Sequence, residues 1–150
     1  MDPIAEIYQR LLLESEITIH PANDDDMHHV MELEKQFPNN SWKNSASFIK
    51  PNHELHIAKH ENKVAGYILT RKEKDSTLIV KMLTDKTLRK TGVGGKMLDH
   101  VLSQGNPVSL NVRTHNEPAI SLYKSKGFNV KEVRPSYYSN GDDAYHMHHD

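Results

Sequence analysis

The sequence predicts an α/β fold, a mixed sheet with helices on both of its faces, in one domain. Three observations carry this expectation. Residues 78–84, Leu-Ile-Val-Lys-Met-Leu-Thr, are an apolar run broken only by Lys81, as in a strand covered on both sides. After a glycine-rich turn, Val93, Met97, Leu98, Val101 and Leu102 fall at helical spacing, and the alternating stretch 108–113 follows. A helix joining two strands of one sheet makes those strands parallel. Finally, 53–60 and 64–71 flank Glu61-Asn-Lys63 as a strand pair with a tight turn, so antiparallel pairing joins the parallel unit.

The other elements follow in order. Ile4, Ile7, Tyr8, Leu11 and Leu12 predict a leading helix over 3–14, opened by Pro3 and packing on the domain or on a partner. Ile17-Thr-Ile19-His20 alternates and meets Pro21, as a first strand does. Asn23-Asp-Asp-Asp26 reads as an acid-rich helix start ahead of Met27, Val30, Met31 and Leu33, its carboxylates complementing the helix dipole. Phe37-Pro-Asn-Asn-Ser-Trp42 breaks that helix, and a second short one is expected near 43–50, stopped before Pro51. Lys72 to Asp75 is a charged turn, and Gly105-Asn106-Pro107 closes the helix that follows Gly92. Glu117 to Lys126 is a helix ended by Gly127. Strands 128–134 and 144–148 come last, joined through a segment holding an Asn-Gly turn signal. No internal repeat or low-complexity segment interrupts the chain.

Composition narrows the functional classes. A chain of 150 residues without a composition break is expected to be one domain with a modest core. A net charge of −1 creates no field favouring nucleic acid or an anionic membrane. With no cysteine there is no disulfide, thiolate metal site or cysteine nucleophile. No apolar run spans a membrane, and Met-Asp-Pro does not open a signal peptide, so a soluble cytoplasmic protein is expected. Eleven histidines raise the question of a metal. On a strand, His146 and His148 share a face while His149 points away, so three ligands do not converge and no metal is expected. His28 and His29 diverge on their helix in the same way.

The turn after residue 84 is the most informative stretch. Backbone N–H groups at a helix start, the positive end of the dipole and the cations Arg89, Lys90 and Lys96 together make an anion site. Two phosphate motifs do not fit. A P-loop fails because Lys90 and Met97 occupy its first glycine and hydroxyl positions, and G-x-G-x-x-G fails at Met97. The spacing that fits is R-x-x-G-x-G, Arg89 to Gly94. It resembles the pyrophosphate loop of the GNAT superfamily of acyl-CoA N-acyltransferases. Residues 110–128, L-N-V-R-T-H-N-E-P-A-I-S-L-Y-K-S-K-G-F, are similar to the second signature of that superfamily, V-R-x-x-N-x-x-A-x-x-L-Y-x-x-x-G-F. Within it, the tail R-P-S-Y-Y-S-N-G-D-D-A-Y-H-M and the stretch F-P-N-N-S-W resemble the N-terminal acetyltransferases, closest to the ribosomal-protein alanine N-acetyltransferases.

The resemblance implies a GNAT fold in which strands 78–84 and 108–113 splay apart, with acetyl-CoA as cosubstrate in the gap. Carried over residue by residue, main-chain groups of Met82, Leu83 and Thr84 hold the pantetheine and the thioester oxygen. Arg89, Lys90, Thr91, Gly92, Val93, Gly94 and Gly95 hold the pyrophosphate. Asn111 and Asn116 complete the cofactor contacts. Tyr123 stands over the sulfur and protonates the departing thiolate, while Trp42, Tyr137 and Tyr138 line the acceptor site. Read without the resemblance, Tyr123 serves equally as core filling, Asn116 as a helix cap, Tyr137 and Tyr138 as turn filling, and Trp42 as a plug beneath a loop.

One departure matters. The nearest subgroup carries glutamate as general base two residues before the arginine of V-R, where this chain has Asn111, which accepts no proton near neutrality. Glu34 and His115 are substitutes by position. Without a strong base, an α-amine (pKa ~7.8) suits the site far better than a lysine (~10.4), whose deprotonation costs about 4 kcal/mol near pH 7.4. The expected activity is therefore acetylation of a protein or peptide N-terminal amine, by a monomer or homodimer. The rival readings are a small-molecule amine acceptor and a non-catalytic acyl-CoA-binding module.

Overall fold

The computed structural model describes residues 2–37, 50–88 and 91–150. They form seven strands and four α-helices. In chain order these are α1 (Pro3–Ser15), β1 (Ile17–Pro21), α2 (Asp24–Glu34), β2 (His53–His60), β3 (Lys63–Lys72), β4 (Thr77–Thr84), α3 (Val93–Leu102), β5 (Val108–Arg113), α4 (Glu117–Ser125), β6 (Asn129–Arg134) and β7 (Ala144–His149). The expected helix near 43–50 lies outside the described residues.

The strands make one sheet in the order β1-β2-β3-β4-β5-β7-β6. Only β4 and β5 run parallel, and the remaining neighbours are antiparallel. The last strand thus inserts between β5 and β6. Each face has its own core. On one, Val93, Met97, Leu98 and Val101 of α3 and Ile120 and Tyr123 of α4 pack on Ile68, Ile79, Val108, Leu110 and Met147. On the other, Val30 and Leu33 of α2 meet Ile57, Tyr67, Leu69 and Leu83. Helices therefore cover both faces, as the apolar run of β4, broken only by Lys81, requires.

Local chemistry accounts for the helix ends. The Asn23 side chain accepts from the Asp26 N–H, and the Asp26 carboxylate accepts from the Asn23 N–H, a reciprocal capping box. The acidic run does more than complement a dipole, because Asp26 is buried and also receives Lys59 at 3.1 Å. Phe128, expected to open β6, is instead buried beneath the sheet, and the strand begins at Asn129.

The leading helix forms over Pro3–Ser15 as expected. Ile4, Ile7, Tyr8 and Leu11 are exposed by 76%, 55%, 61% and 57%, so α1 does not lay this stripe on the described domain. Among the described residues no helix is long and apolar enough to cross a membrane.

Candidate active site

The site begins with an interruption in the sheet. β4 and β5 are paired only at Thr77–Val108, Leu78–Ser109 and Ile79–Leu110. On the other edge of β4, Thr70 pairs Ile79 and Leu69 pairs Lys81, which leaves Val80 as one surplus residue. A bulge bends its strand and increases the local twist. Here it falls immediately after the last β4–β5 pair, and the two parallel strands separate there. Their gap is a cleft of about 280 Å³ lined by Val80 to Leu83, Asn111 to Arg113, Asn116, Tyr123 and Tyr138.

Beyond Ile79, the β5-facing edge of β4 carries main-chain donors and acceptors that β5 does not satisfy, and such groups require partners. Met82 and Leu83 line this edge, and Thr84 follows beside Gly94. Their opposite edge is committed to β3 through Ile68, Tyr67 and Gly66.

From Thr84 the chain passes through a short 3-10 turn, Lys86–Leu88, to α3. The Thr91 hydroxyl donates to the Leu88 carbonyl and holds the turn together. Gly92 is the N-cap at φ 96°, a left-handed conformation that suits glycine, and no side chain caps the helix. The N–H groups of the first turn therefore depend on an outside partner or water. A Cβ on Gly94 would lie 3.1 Å from Leu122, and one on Gly95 would lie 3.3 Å from Lys126 Cε and 3.5 Å from its Nζ. The bare backbone thus serves two ends: close packing of α3 on α4, and an ammonium set beside the helix start. Lys126, bonded to Asp99 at 2.9 Å, escaped sequence reasoning because its proximity to Gly95 is tertiary. Arg89 and Lys90 lie outside the described residues, as does Trp42.

Tyr123 is 9% exposed, lies 5.9 Å ring to ring from Phe128, and reaches the cleft wall. Burial, helped by the neighbouring Tyr138, pushes its phenol up to about 12. Its proton is retained at any physiological pH, so the phenol is a hydrogen-bond donor on a residue that lines the cleft. Asn116 caps α4 by accepting from the Ala119 N–H at 3.4 Å, and it also lines the cleft.

The mouth is built by the β6–β7 connection. The Arg113 guanidinium sits 3.9 Å from the Tyr138 ring centre, and its Nε donates to Asp142 at 3.0 Å. His115 is also bonded to Asp142 at 3.0 Å, and these bonds hold that carboxyl below the usual carboxylate range. Tyr137 stands edge-on to Tyr138 with ring centres 5.0 Å apart. The two tyrosines are thus ordered at the mouth by partners on β5 and the β5–α4 loop.

Asn111 is a junction. Its Nδ2 donates to the Tyr137 hydroxyl at 3.3 Å, while its Oδ1 accepts from Arg134 Nη1 at 3.3 Å and faces His146 Nδ1 at 2.9 Å. Arg134 and His146 were not legible as site residues, since β7 comes to lie beside β5 only through the strand order. His146 is half-buried on β7 and bonded to Asn111. Glu34, a substitute base by position, is buried and accepts from the Tyr67 hydroxyl and from Lys81 at 3.2 Å, which commits its carboxylate to a structural ion pair. Among the described residues the one cluster of three ligand atoms within 4.8 Å is Glu16, just before β1, His60, at the end of β2, and Glu61, in the β2–β3 turn, all outside the cleft lining.

Comparisons with known proteins agree with this architecture. The model of the acetyltransferase (GNAT) family matches residues 8–128. An N-alpha-acetyltransferase of Caenorhabditis elegans is 32% identical over 103 residues, covering 61% of this chain and 57% of the relative. The [ribosomal protein bS18]-alanine N-acetyltransferase of Escherichia coli is 29% identical over 85 residues, 53% of this chain and 57% of the relative. The solved structure of Ard1 from Thermoplasma volcanium is 26% identical with a TM-score of 0.76, over 89% of this chain and 97% of that one. The chain spans a little over half the length of these two curated relatives.

Proposed function

Because this chain belongs to the acetyltransferase (GNAT) family, we propose that it moves the acetyl group of acetyl-CoA to the α-amine at a protein or peptide N-terminus, by direct attack of the amine on the thioester. The observation that carries the reading is the parting of β4 and β5 after Ile79, with the Tyr123 phenol set in the wall of the gap.

The residues present suit acetyl-CoA as a substrate. The free edge of β4 at Met82 and Leu83 bonds an extended amide-bearing arm, and one N–H there polarises the thioester carbonyl. The uncapped start of α3, Gly92 to Gly95, takes the pyrophosphate, with Thr91 shaping the turn and Arg89, Lys90 and Lys126 supplying positive charge. Asn116, which lines the cleft while its Oδ1 caps α4, has its Nδ2 left to bond the pantetheine arm. Tyr123 keeps its proton and offers it to the sulfur as the C–S bond breaks, which makes coenzyme A a better leaving group. Tyr137 and Tyr138 flank the incoming N-terminus at the mouth, and Trp42 is assigned to the acceptor side by sequence alone. The curated names of the relatives, an N-alpha-acetyltransferase and an alanine N-acetyltransferase of a ribosomal protein, support an N-terminal acceptor.

The test is thiol release from acetyl-CoA with short peptides differing in their first two residues. A peptide blocked at its N-terminus and bearing one lysine serves as control. The α-amine peptides are expected to react two to three orders of magnitude faster near pH 7.4, the difference in their neutral fractions. Equal rates on the blocked lysine peptide refute the α-amine acceptor, and no release with any peptide while acetyl-CoA binds refutes transferase activity.

A further inference from the structure

Asn111 leaves the β5 wall without a proton acceptor, yet its hydrogen bonds show where one stands. Arg134 can only donate, so the Asn111 atom it meets at 3.3 Å must be the carbonyl oxygen. That same oxygen lies 2.9 Å from His146 Nδ1. An amide oxygen can only accept, so His146 Nδ1 carries the hydrogen and Nε2 carries an open lone pair. The guanidinium thereby fixes the amide, and the amide fixes the tautomer of the imidazole.

Position agrees with this assignment. Asn111 and His146 are direct partners in the β5–β7 register, so their side chains share a face of the sheet. Asn111 lines the cleft, and His146 stands one strand further out, about 4.8 Å away in the pairing direction, within the reach of one bridging water. We propose that His146 Nε2 is the group that takes the proton from the acceptor amine through such a water, with Asn111 as its positioning residue. The proposal rests on the acetyl transfer put forward above.

The groups facing His146 keep it able to act. Burial, the cations Arg134 and Lys131 and the neighbouring His148 disfavour its protonated form, and Glu132 alone opposes them, so the imidazole sits below its ordinary range. It is therefore neutral at pH 7 and free to accept a proton. The proton balance is then complete. The acceptor enters as an ammonium and passes one proton to Nε2. Its nitrogen forms the C–N bond to the acetyl carbon as the C–S bond breaks. A second proton leaves nitrogen and ends on the sulfur by way of Tyr123, and the imidazolium returns its proton to bulk water.

Two measurements test this. In the wild-type protein, nitrogen NMR at pH 7.5 is expected to show His146 protonated on Nδ1 and bare on Nε2; a hydrogen on Nε2 overturns the assignment. In kinetics, His146→Asn keeps a donor toward Asn111 and removes only the acceptor nitrogen. Its kcat/KM is expected to fall about 10²-fold at pH 7 and to recover as pH rises past the amine pKa of ~7.8, with acetyl-CoA affinity unchanged. Adding Asn111→Glu is expected to restore part of the loss. A His146→Asn protein with the wild-type pH profile overturns the proposal and leaves acetyl transfer standing. Wild-type protein that acetylates no α-amine overturns the functional reading itself, and the kinetic role of His146 with it.

Discussion

The guanidinium of Arg113 lies 3.9 Å from the ring centre of Tyr138 and bonds through Nε to Asp142, so one side chain on β5 holds both ends of the segment at the mouth of the cleft. Cutting that tie should loosen the mouth and spare the chemistry. Asp142→Asn is expected to raise KM for a peptide acceptor about tenfold with kcat changed less than about twofold, since uniform binding is lost and transition-state contacts are kept. Initial rates over a range of peptide concentration at saturating acetyl-CoA measure both parameters. An equal fall in kcat would place Asp142 in the reaction.

Tyr123→Phe removes the phenolic hydrogen and keeps the ring against Phe128. We expect kcat to fall by ~10²-fold or more with acetyl-CoA affinity nearly kept, the usual effect of losing a general acid. Single-turnover rates beside calorimetry separate the two. The same residue gives an alkaline prediction. Its phenol is raised from 10.0 to about 12, so the folded protein holds the proton more tightly than the unfolded chain. That stabilisation is complete below pH 10 and is lost as pH rises toward 12. Chemical denaturation of wild type and Tyr123→Phe over pH 9–12 should show a smaller decline in the variant.

Gly92 holds φ at 96° where the loop enters α3. In Gly92→Ala the new Cβ opposes that conformation at a cost of roughly 1–2 kcal/mol, and relief of the strain turns the first-turn amides away from their ligand. Thermal denaturation should show a modest loss of stability. Calorimetry should show a larger loss of affinity for coenzyme A than for its dephosphorylated pantetheine fragment.

Asp26 supports α2 through both halves of the capping box and through Lys59. Burial acts to raise its pKa, but the Asn23 N–H, Lys59 and His20 outweigh it and hold the carboxyl below its ordinary value of 3.8. The folded value being the lower one, this stabilisation is present above pH 3.8 and disappears as pH falls through the folded value. Asp26→Ala should cost about 2 kcal/mol at pH 7, with the difference from wild type shrinking in acid. Urea denaturation at pH 7 and pH 3 measures it.

Much of this was legible in the residues because it is local. The apolar run of β4, the glycines after it, the stripe of α3 and the Asn116–Tyr123 spacing are each written within a few dozen consecutive positions, and the folded chain keeps them. What the sequence did not disclose is what strand order brings together. Asn111 meets His146 and Arg134 only because β7 slips between β5 and β6, an adjacency that no spacing encodes. Glu34 was a substitute base by position alone, and its ion pair with Lys81 follows from the packing of α2 on β4, which no local spacing encodes. The surplus Val80 is invisible in an apolar run, since a bulge is defined by the partner strand as much as by its own. In α1 the periodicity was correct and left two destinations open, the domain or a partner, because an amphipathic stripe says that a helix can bury a face and not against what; the exposure of Ile4, Ile7, Tyr8 and Leu11 removes the first.

The parting at Val80 also bears on how the protein should respond to occupancy. A sheet split down its middle is missing a row of rungs, and an extended guest whose amides fit there acts as a temporary extra strand joining the two halves. Filling the slot should therefore slow deuterium uptake at 81–84 and 111–113 on both sides of the split, and raise the melting temperature with the logarithm of the guest's concentration.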